Sequence, residues 1–244
     1  MDIHVGWGSS TDIAQATKKD QMAVISERFA YVYVLAPRTA CTSIGIELVR
    51  HFAGEWLPSE DFKSAEGDLL VPRKHSTLHQ LMANDLLTPS ARAKKLVFTA
   101  VRNPFDSLVS LWLKQATAYQ HLLDDPDSFI HHQPGFKQGV IFARDHSFPE
   151  WVRYRFEDRV ANGPRHMYQP FIQGADVIMR YENLQDDFNQ VLRRVGASAE
   201  GHRIPMLNET VGRAADYRVY YNDYSRDLIG EIFAKDLERF GYSF

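Results

Sequence analysis

The chain has 244 residues, with 28 Lys and Arg against 31 Asp and Glu, a formal net charge of −3. Hydrophobic residues make up 44% and charged residues 24%, which excludes a disordered or collagen-like chain and fits an ordinary globular protein. The lone cysteine, Cys41, excludes an intrachain disulfide framework and a cysteine-based zinc site, and it fits a reducing, cytoplasmic compartment. The sequence has no apolar run near the ~18 residues of a membrane span, its first residues lack the basic-then-apolar pattern of a secretory signal, and its near-neutral charge argues against a dedicated nucleic-acid binder.

Residues 1–28 are polar and mixed, and they predict an irregular arm or edge element. The run Ala30–Ala36 is short, apolar and rich in β-branched and aromatic residues, which predicts a buried strand ended by Pro37. Apolar side chains at helical spacing from Ile44 to Phe52 predict a helix, capped by Thr42 or Ser43. The same order returns along the chain. Leu69–Val71 reads as a strand, and Ser76 as the N-cap of a helix around Thr77–Asp85. Leu96–Val101 is the clearest strand, followed by a helix from about Phe105 to Leu123. Pro126, Pro134, Gly135 and Gly139 predict a long loop or lid over residues 124–147. Ser147 and Pro149 open a helix to about Val160, Asp176–Arg180 is a strand, and Leu184–Val195 is a helix ended by Gly196. A last helix spans about Asp223 to Phe240 and stops at Gly241.

Strands separated by helices imply βαβ units: an α/β fold, one domain over 1–244, with a central, mainly parallel sheet flanked by helices. Ligands in such sheets bind beyond the carboxyl ends of the strands. Four segments fall there: Pro37–Ser43, Pro72–Ser76, Arg102–Ser110 and Tyr181–Leu184.

Pro37–Arg38–Thr39–Ala40–Cys41–Thr42–Ser43 lies between a strand and a helix start. Helix N-termini offer unpaired N–H groups and partial positive charge, small residues let an anion approach the backbone, and Arg38 adds a forked cation. A capped helix start with a surface arginine is the plainer alternative. The segment lacks both glycines and the lysine of the Walker pattern G-x-x-x-x-G-K-S/T, which disfavours an ordinary ATP or GTP hydrolase. In Arg102–Asn103–Pro104–Phe105–Asp106–Ser107–Leu108–Val109–Ser110, an arginine ends a strand and a serine follows early in a helix. The two can converge on one phosphate; a surface arginine at a strand–helix connection is again the plainer alternative.

Together these segments resemble those of the sulfotransferases that use 3′-phosphoadenosine 5′-phosphosulfate (PAPS). Pro37–Ser43 resembles the family's 5′-phosphosulfate loop, P-K/R-S/T-x-x-S/T-S, with Arg38 in place of the commoner lysine. Arg102–Ser110 resembles its 3′-phosphate motif, R-D/N-P-x-D/E-x-x-V/L-S, in which Arg102 and Ser110 correspond to the phosphate-holding residues. Arg180–Leu184 resembles the turn whose tyrosine, here Tyr181, lies near the adenine. Asp236–Tyr242 resembles the family's D-L/I-x-x-F-G-Y ending, taken as structural. The resemblance covers about residues 30–242 and implies a P-loop-like nucleotide-binding sulfotransferase fold. The implied reaction is sulfuryl transfer from PAPS, leaving adenosine 3′,5′-bisphosphate, to a small-molecule or carbohydrate acceptor.

The resemblance also suggests roles. Arg38, Thr39, Ala40, Cys41, Thr42 and Ser43 surround the 5′ end of the cofactor, with Arg38 stabilising charge on the bridging oxygen. Cys41 is read as a small residue rather than a nucleophile. Arg73–Lys74–His75 resembles the family's K-x-H segment, which makes His75 the base; Arg73 falls on a sulfate-facing lysine, and Lys74 serves electrostatics or solubility. A capping or surface role for His75 stays open, as do Glu47, Glu55 and Glu66 as the base. Asn208–Arg213 falls where the family has a cofactor-closing loop, with Arg213 as the basic candidate. Trp112, Tyr119, Phe136, Phe142 and Trp151 are candidate walls of an acceptor pocket, or core. No metal-ligand motif is visible, no metal is expected, and the adjacent His131 and His132 read as solvated. A P-loop-type small-molecule kinase, which would need Mg²⁺ and ATP, and a non-catalytic nucleotide-binding scaffold are the competing readings.

Overall fold

The computed structural model describes residues 23–71, 75–133, 135–207, 210 and 212–244. Residues 1–22 of the expected arm, Arg73, Lys74, Pro134, Asn208, Glu209 and Val211 lie outside the described residues. In chain order the elements are β1 (Ala23–Ser26), β2 (Tyr31–Tyr33), α1 (Cys41–His51), β3 (Glu55–Leu57), β4 (Phe62–Lys63), β5 (Leu69–Val71), α2 (Leu78–Ala83), α3 (Pro89–Arg92) and β6 (Leu96–Val101). Then follow α4 (Pro104–Ala116), α5 (Phe129–His132), α6 (Phe136–Asp145), α7 (Phe148–Phe156), α8 (Gln169–Ile172), β7 (Val177–Arg180), α9 (Leu184–Arg194), α10 (Asp223–Ile232) and α11 (Ala234–Phe240). No helix among the described residues is long and apolar enough to cross a membrane.

The described residues group into two compact units, each drawn from two stretches: one within Met1–Ala100 and Pro170–Leu207, the other within Val101–Gln169 and Asn208–Phe244. The first unit carries a five-stranded sheet in the order β3-β1-β2-β6-β7. β2 pairs parallel with β6, and β1 pairs antiparallel with both β2 and β3. So β2, β3 and β6 share one direction, and β1 opposes them. The connection from β1 to β2 is a short turn, and a short turn can join only antiparallel neighbours. Residues 23–26, expected within an irregular arm or edge element, are thus an internal strand of the sheet.

β2 is buried on both faces, which explains its unbroken apolar run. Tyr31, Tyr33 and Leu35 pack with Phe98, Ile44, Leu48, Phe188 and Leu192 beneath α1 and α9. Val32 and Val34 face the other way, onto Leu78, Leu81, Val71 and Val97. β5 forms as expected but pairs with β4 in a separate two-stranded sheet, so the His75 segment does not follow a central strand. The cap of α2 is Thr77, not Ser76: its side chain accepts the Gln80 N–H, and Gln80 answers it in a capping box. Ser76 is fully buried instead.

The second unit is helical. Phe105, Leu108, Val109, Phe148, Trp151, Val152, Ile229 and Ile232 form its core. The helix expected to Leu123 stops at Ala116, and a 3₁₀ turn follows over Gln120–Asp124. The loop or lid expected over 124–147 is instead mostly α5 and α6. Its two glycines serve helical structure. Gly135 opens α6 with a left-handed φ of 70°. Gly139 sits mid-helix because a Cβ there would lie 3.3 Å from Gln115 Oε1 and 3.2 Å from Arg155 Nη1. Tyr119, Phe129 and Phe136 pack edge-on around one another, and Val140 and Ala143 are buried; this apolar material decides the segment. The expected last helix is broken at Phe233 into α10 and α11. Asp236 is fully buried, accepting from the Met167 N–H and from His166 Nδ1 at 2.9 Å, a structural tie within this unit.

Candidate functional site

In the first unit the chain leaves β2, runs extended to Ala36 and turns through Pro37–Ala40 into α1. Two non-glycine residues of this turn are left-handed, Arg38 with φ 67° and Ala40 with φ 58°. Such positions are strained, and strain of this kind concentrates at ligand-binding turns. Ala40 is the N-cap of α1 and offers no capping side chain, so neither Thr42 nor Ser43 caps the helix as expected. Both lie inside its first turn and are buried. Thr39 is fully buried, and its Oγ1 donates to the Ala36 carbonyl at 2.9 Å, closing the turn. Ser43 Oγ accepts the Leu207 N–H at 3.3 Å.

Cys41 is buried among Tyr33, Ile44 and Leu48, and burial pushes its thiol above the usual range against the pull of the Arg38 charge. It is a packing residue of the turn. Tyr33 beneath it is fully buried, and burial raises its phenol well above the usual value.

His75 belongs to the same unit and is also left-handed, with φ 58°. Its Nδ1 lies 2.9 Å from the Leu35 carbonyl oxygen. A carbonyl only accepts, so Nδ1 carries the hydrogen, and the neutral ring keeps its lone pair on Nε2. The contact brings His75 to the strand end that feeds the Arg38 turn. Its ring also meets Phe171 edge-on at 6.3 Å.

In the second unit the second motif forms one cluster. Arg102 is 3% exposed, and its Nε donates to Asp106 Oδ2 at 2.6 Å. Arg213 Nη2 donates to the other oxygen, Oδ1. Ser110 Oγ lies 3.4 Å from Thr210 Oγ1. Thr210 and Arg213 therefore lie against the first turns of α4, Thr210 at Ser110 and Arg213 at the carboxylate that Arg102 also holds. Asn103 caps α4 by accepting the Phe105 N–H at 3.1 Å, while its Nδ2 donates to the Ser243 carbonyl at 2.9 Å. Asp106 and Thr210 were not singled out as site residues from sequence. The i, i+4 spacing of Arg102 and Asp106 was the available signal; Thr210 falls within the Asn208–Arg213 segment but carries no signal of its own.

The remaining candidates fall elsewhere. Tyr181 is half-buried on the 3₁₀ turn after β7, in the first unit. Trp151 is fully buried core, its Nε1 donating to Gln115 Oε1 at 2.8 Å. Trp112 packs edge-on against Phe148 and Tyr220, and Phe142 stacks on Tyr154 at 4.2 Å. His131, expected to be solvated, is half-buried, its Nε2 3.3 Å from the Leu122 carbonyl; His132 is exposed. Glu55 is exposed on β3. Glu66 is exposed, its carboxyl held below the usual range by its own N–H and by Ser64. Glu47 is buried against His202.

A family model described as the sulfotransferase family matches residues 21–243, which takes in both units. Among curated proteins, carbohydrate sulfotransferase 11 of Danio rerio is 23% identical over 239 residues, covering 90% of this chain. The aligned region spans 66% of that relative's length.

Proposed function

The chain belongs to the sulfotransferase family, and on that premise we propose that it moves a sulfuryl group from PAPS to a hydroxyl or amine of a carbohydrate or small-molecule acceptor, by direct in-line transfer. The observation that carries this reading is the cluster of Arg102, Arg213, Ser110 and Thr210 around Asp106. Two guanidiniums share one carboxylate, and two hydroxyls pair nearby. That donor set fits a phosphate.

Arg102 and Ser110 hold the 3′-phosphate, with Arg213 beside them. Arg38 and the first N–H groups of α1, with Thr42 and Ser43, hold the 5′ end. Ala40 and Cys41 keep that turn small. Thr39, whose hydroxyl is spent on Ala36, shapes the turn. Tyr181 packs by the adenine. When bound, the cofactor supplies a sulfuryl group on a phosphate leaving group.

The protein's own work is then to orient the acceptor and take its proton. His75 Nε2 accepts that proton, since the Nδ1–H bond to Leu35 leaves the lone pair there. The imidazolium formed keeps the same hydrogen bond. Arg38 stays charged throughout and gives electrostatic stabilisation, not a proton. The carbohydrate class of acceptor takes its support from the zebrafish relative's name.

Titration calorimetry tests the cofactor assignment. The purified chain should bind adenosine 3′,5′-bisphosphate much more tightly than ATP; equal affinity for the two sinks it. A screen with labelled PAPS across sugars, phenols, alcohols and amines then identifies the acceptor.

A further inference from the structure

α1 presents a second constellation, four residues further along than Ser43. Glu47 and His51 stand one helical turn apart on α1, and His202 comes from the segment after α9, all in the first unit. His202 Nδ1 lies 3.1 Å from Glu47 Oε1, and His51 Nε2 lies 3.9 Å from Glu47 Oε2. One ligand atom from each residue lies within 4.8 Å of the other two. Ligand atoms held tetrahedrally at about 2.0–2.1 Å from zinc stand roughly 3.4 Å apart. The two separations, one to each Glu47 oxygen, lie on either side of that value.

The His202 imidazole is held in place. Gln185 clamps the backbone around His202, its Nε2 donating to the His202 carbonyl at 3.3 Å and its Oε1 accepting the Ile204 N–H at 2.9 Å. The Phe52 ring packs edge-on against the His202 imidazole at 4.8 Å. Two neutral imidazoles and one carboxylate are a borderline ligand set that suits zinc. The Glu47 side chain is 9% exposed, whereas that of His51 is 46% exposed. One side of the cluster is therefore open to solvent, which provides an entry path and a fourth position for water.

We propose that Glu47, His51 and His202 bind a zinc-class divalent cation that ties segment 202–207 to α1. The segment begins at this cluster and ends at Leu207, which donates to Ser43 at the start of the same helix. The cation is a structural anchor.

The test uses the tag-free full chain, stripped with EDTA and dialysed, and titrated with zinc chloride by calorimetry and by thermal melting. One equivalent should bind and Tm should rise. His51→Ala, a change at an exposed side chain that leaves the core alone, should weaken zinc binding by about tenfold or more. His202→Ala should do the same. A Tm that zinc does not move, or an affinity unchanged in both variants, overturns the proposal; the second result assigns the bound metal to other histidines.

Discussion

His75 donates from Nδ1 to the Leu35 carbonyl oxygen across 2.9 Å, which ties its ring to the strand end that feeds the Arg38 turn. The bond sets the tautomer and leaves Nε2 as the basic atom. His75 also occupies a left-handed backbone conformation, so its replacement must tolerate φ 58°. Asparagine does so better than alanine. His75→Asn should bind adenosine 3′,5′-bisphosphate as the parent does and transfer sulfuryl roughly 10²–10⁴-fold more slowly in single turnover. Parent-like turnover would remove His75 as the base and return attention to the glutamates.

Asp106 accepts from Arg102 and Arg213 through its two oxygens. Asp106→Ala leaves two guanidiniums facing each other without their shared anion. Removing one partner of a buried ion pair costs about 3–5 kcal/mol, and urea unfolding should read a loss of that order. Adenosine 3′,5′-bisphosphate should restore part of the loss, because its 3′-phosphate supplies the missing negative charge. A variant that the nucleotide stabilises no more than it stabilises the parent argues against a phosphate at this cluster.

Arg102→Ala should abolish the preference for a 3′-phosphorylated nucleotide over ATP, a loss of roughly 1.5–3 kcal/mol for a charge-assisted contact. Paired calorimetric titrations of the two ligands read it directly. Retained preference contradicts the role given to Arg102.

Cys41 is buried, and burial raises its thiol against the opposing pull of Arg38. Disulfide exchange requires the thiolate, so a raised pKa leaves less of the reactive form at any pH below it. A chromogenic disulfide reagent should therefore label native protein far more slowly than urea-unfolded protein at mildly alkaline pH. Rapid native labelling would mean that the turn opens or that the thiol is activated.

Gly54 lies where the chain returns from α1 to β3, and a Cβ there would lie 2.6 Å from Val24 Cγ1, 2.9 Å from the Tyr31 hydroxyl and 3.0 Å from the Leu48 carbonyl carbon. The backbone atom cannot swing away. Gly54→Ala should destabilise the fold by about 1–3 kcal/mol, the usual cost of overpacking. A denaturation midpoint equal to or above that of the parent contradicts the packing described for α1.

The strand–helix order was legible in sequence wherever apolar periodicity was uninterrupted. β6 runs from Leu96 to Val101 as read, because a short run that is apolar but for Thr99 and half β-branched has few alternatives. Residues 124–147 were misjudged because Pro126, Gly135 and Gly139 are locally turn formers. The aromatic packing of Tyr119, Phe129 and Phe136, and the approach of Gln115 and Arg155 to Gly139, overrule that local preference. The antiparallel β1 was hidden for a related reason: four strand residues in a polar neighbourhood carry little periodic signal.

By itself the sequence determined the two motifs proposed to hold the cofactor's anionic ends, since each is a contiguous string that can be read from residue type and from its place between a strand and a helix. It also determined the α/β class. Only the tertiary structure decided which side chains meet across long separations: Arg213 with Asp106, Thr210 with Ser110, His75 with Leu35, and His202 with Glu47. The physical reason is range. Helix and strand periodicity records each residue's neighbours within one element. Pairing between distant segments is set by the burial of whole faces, which no local string encodes.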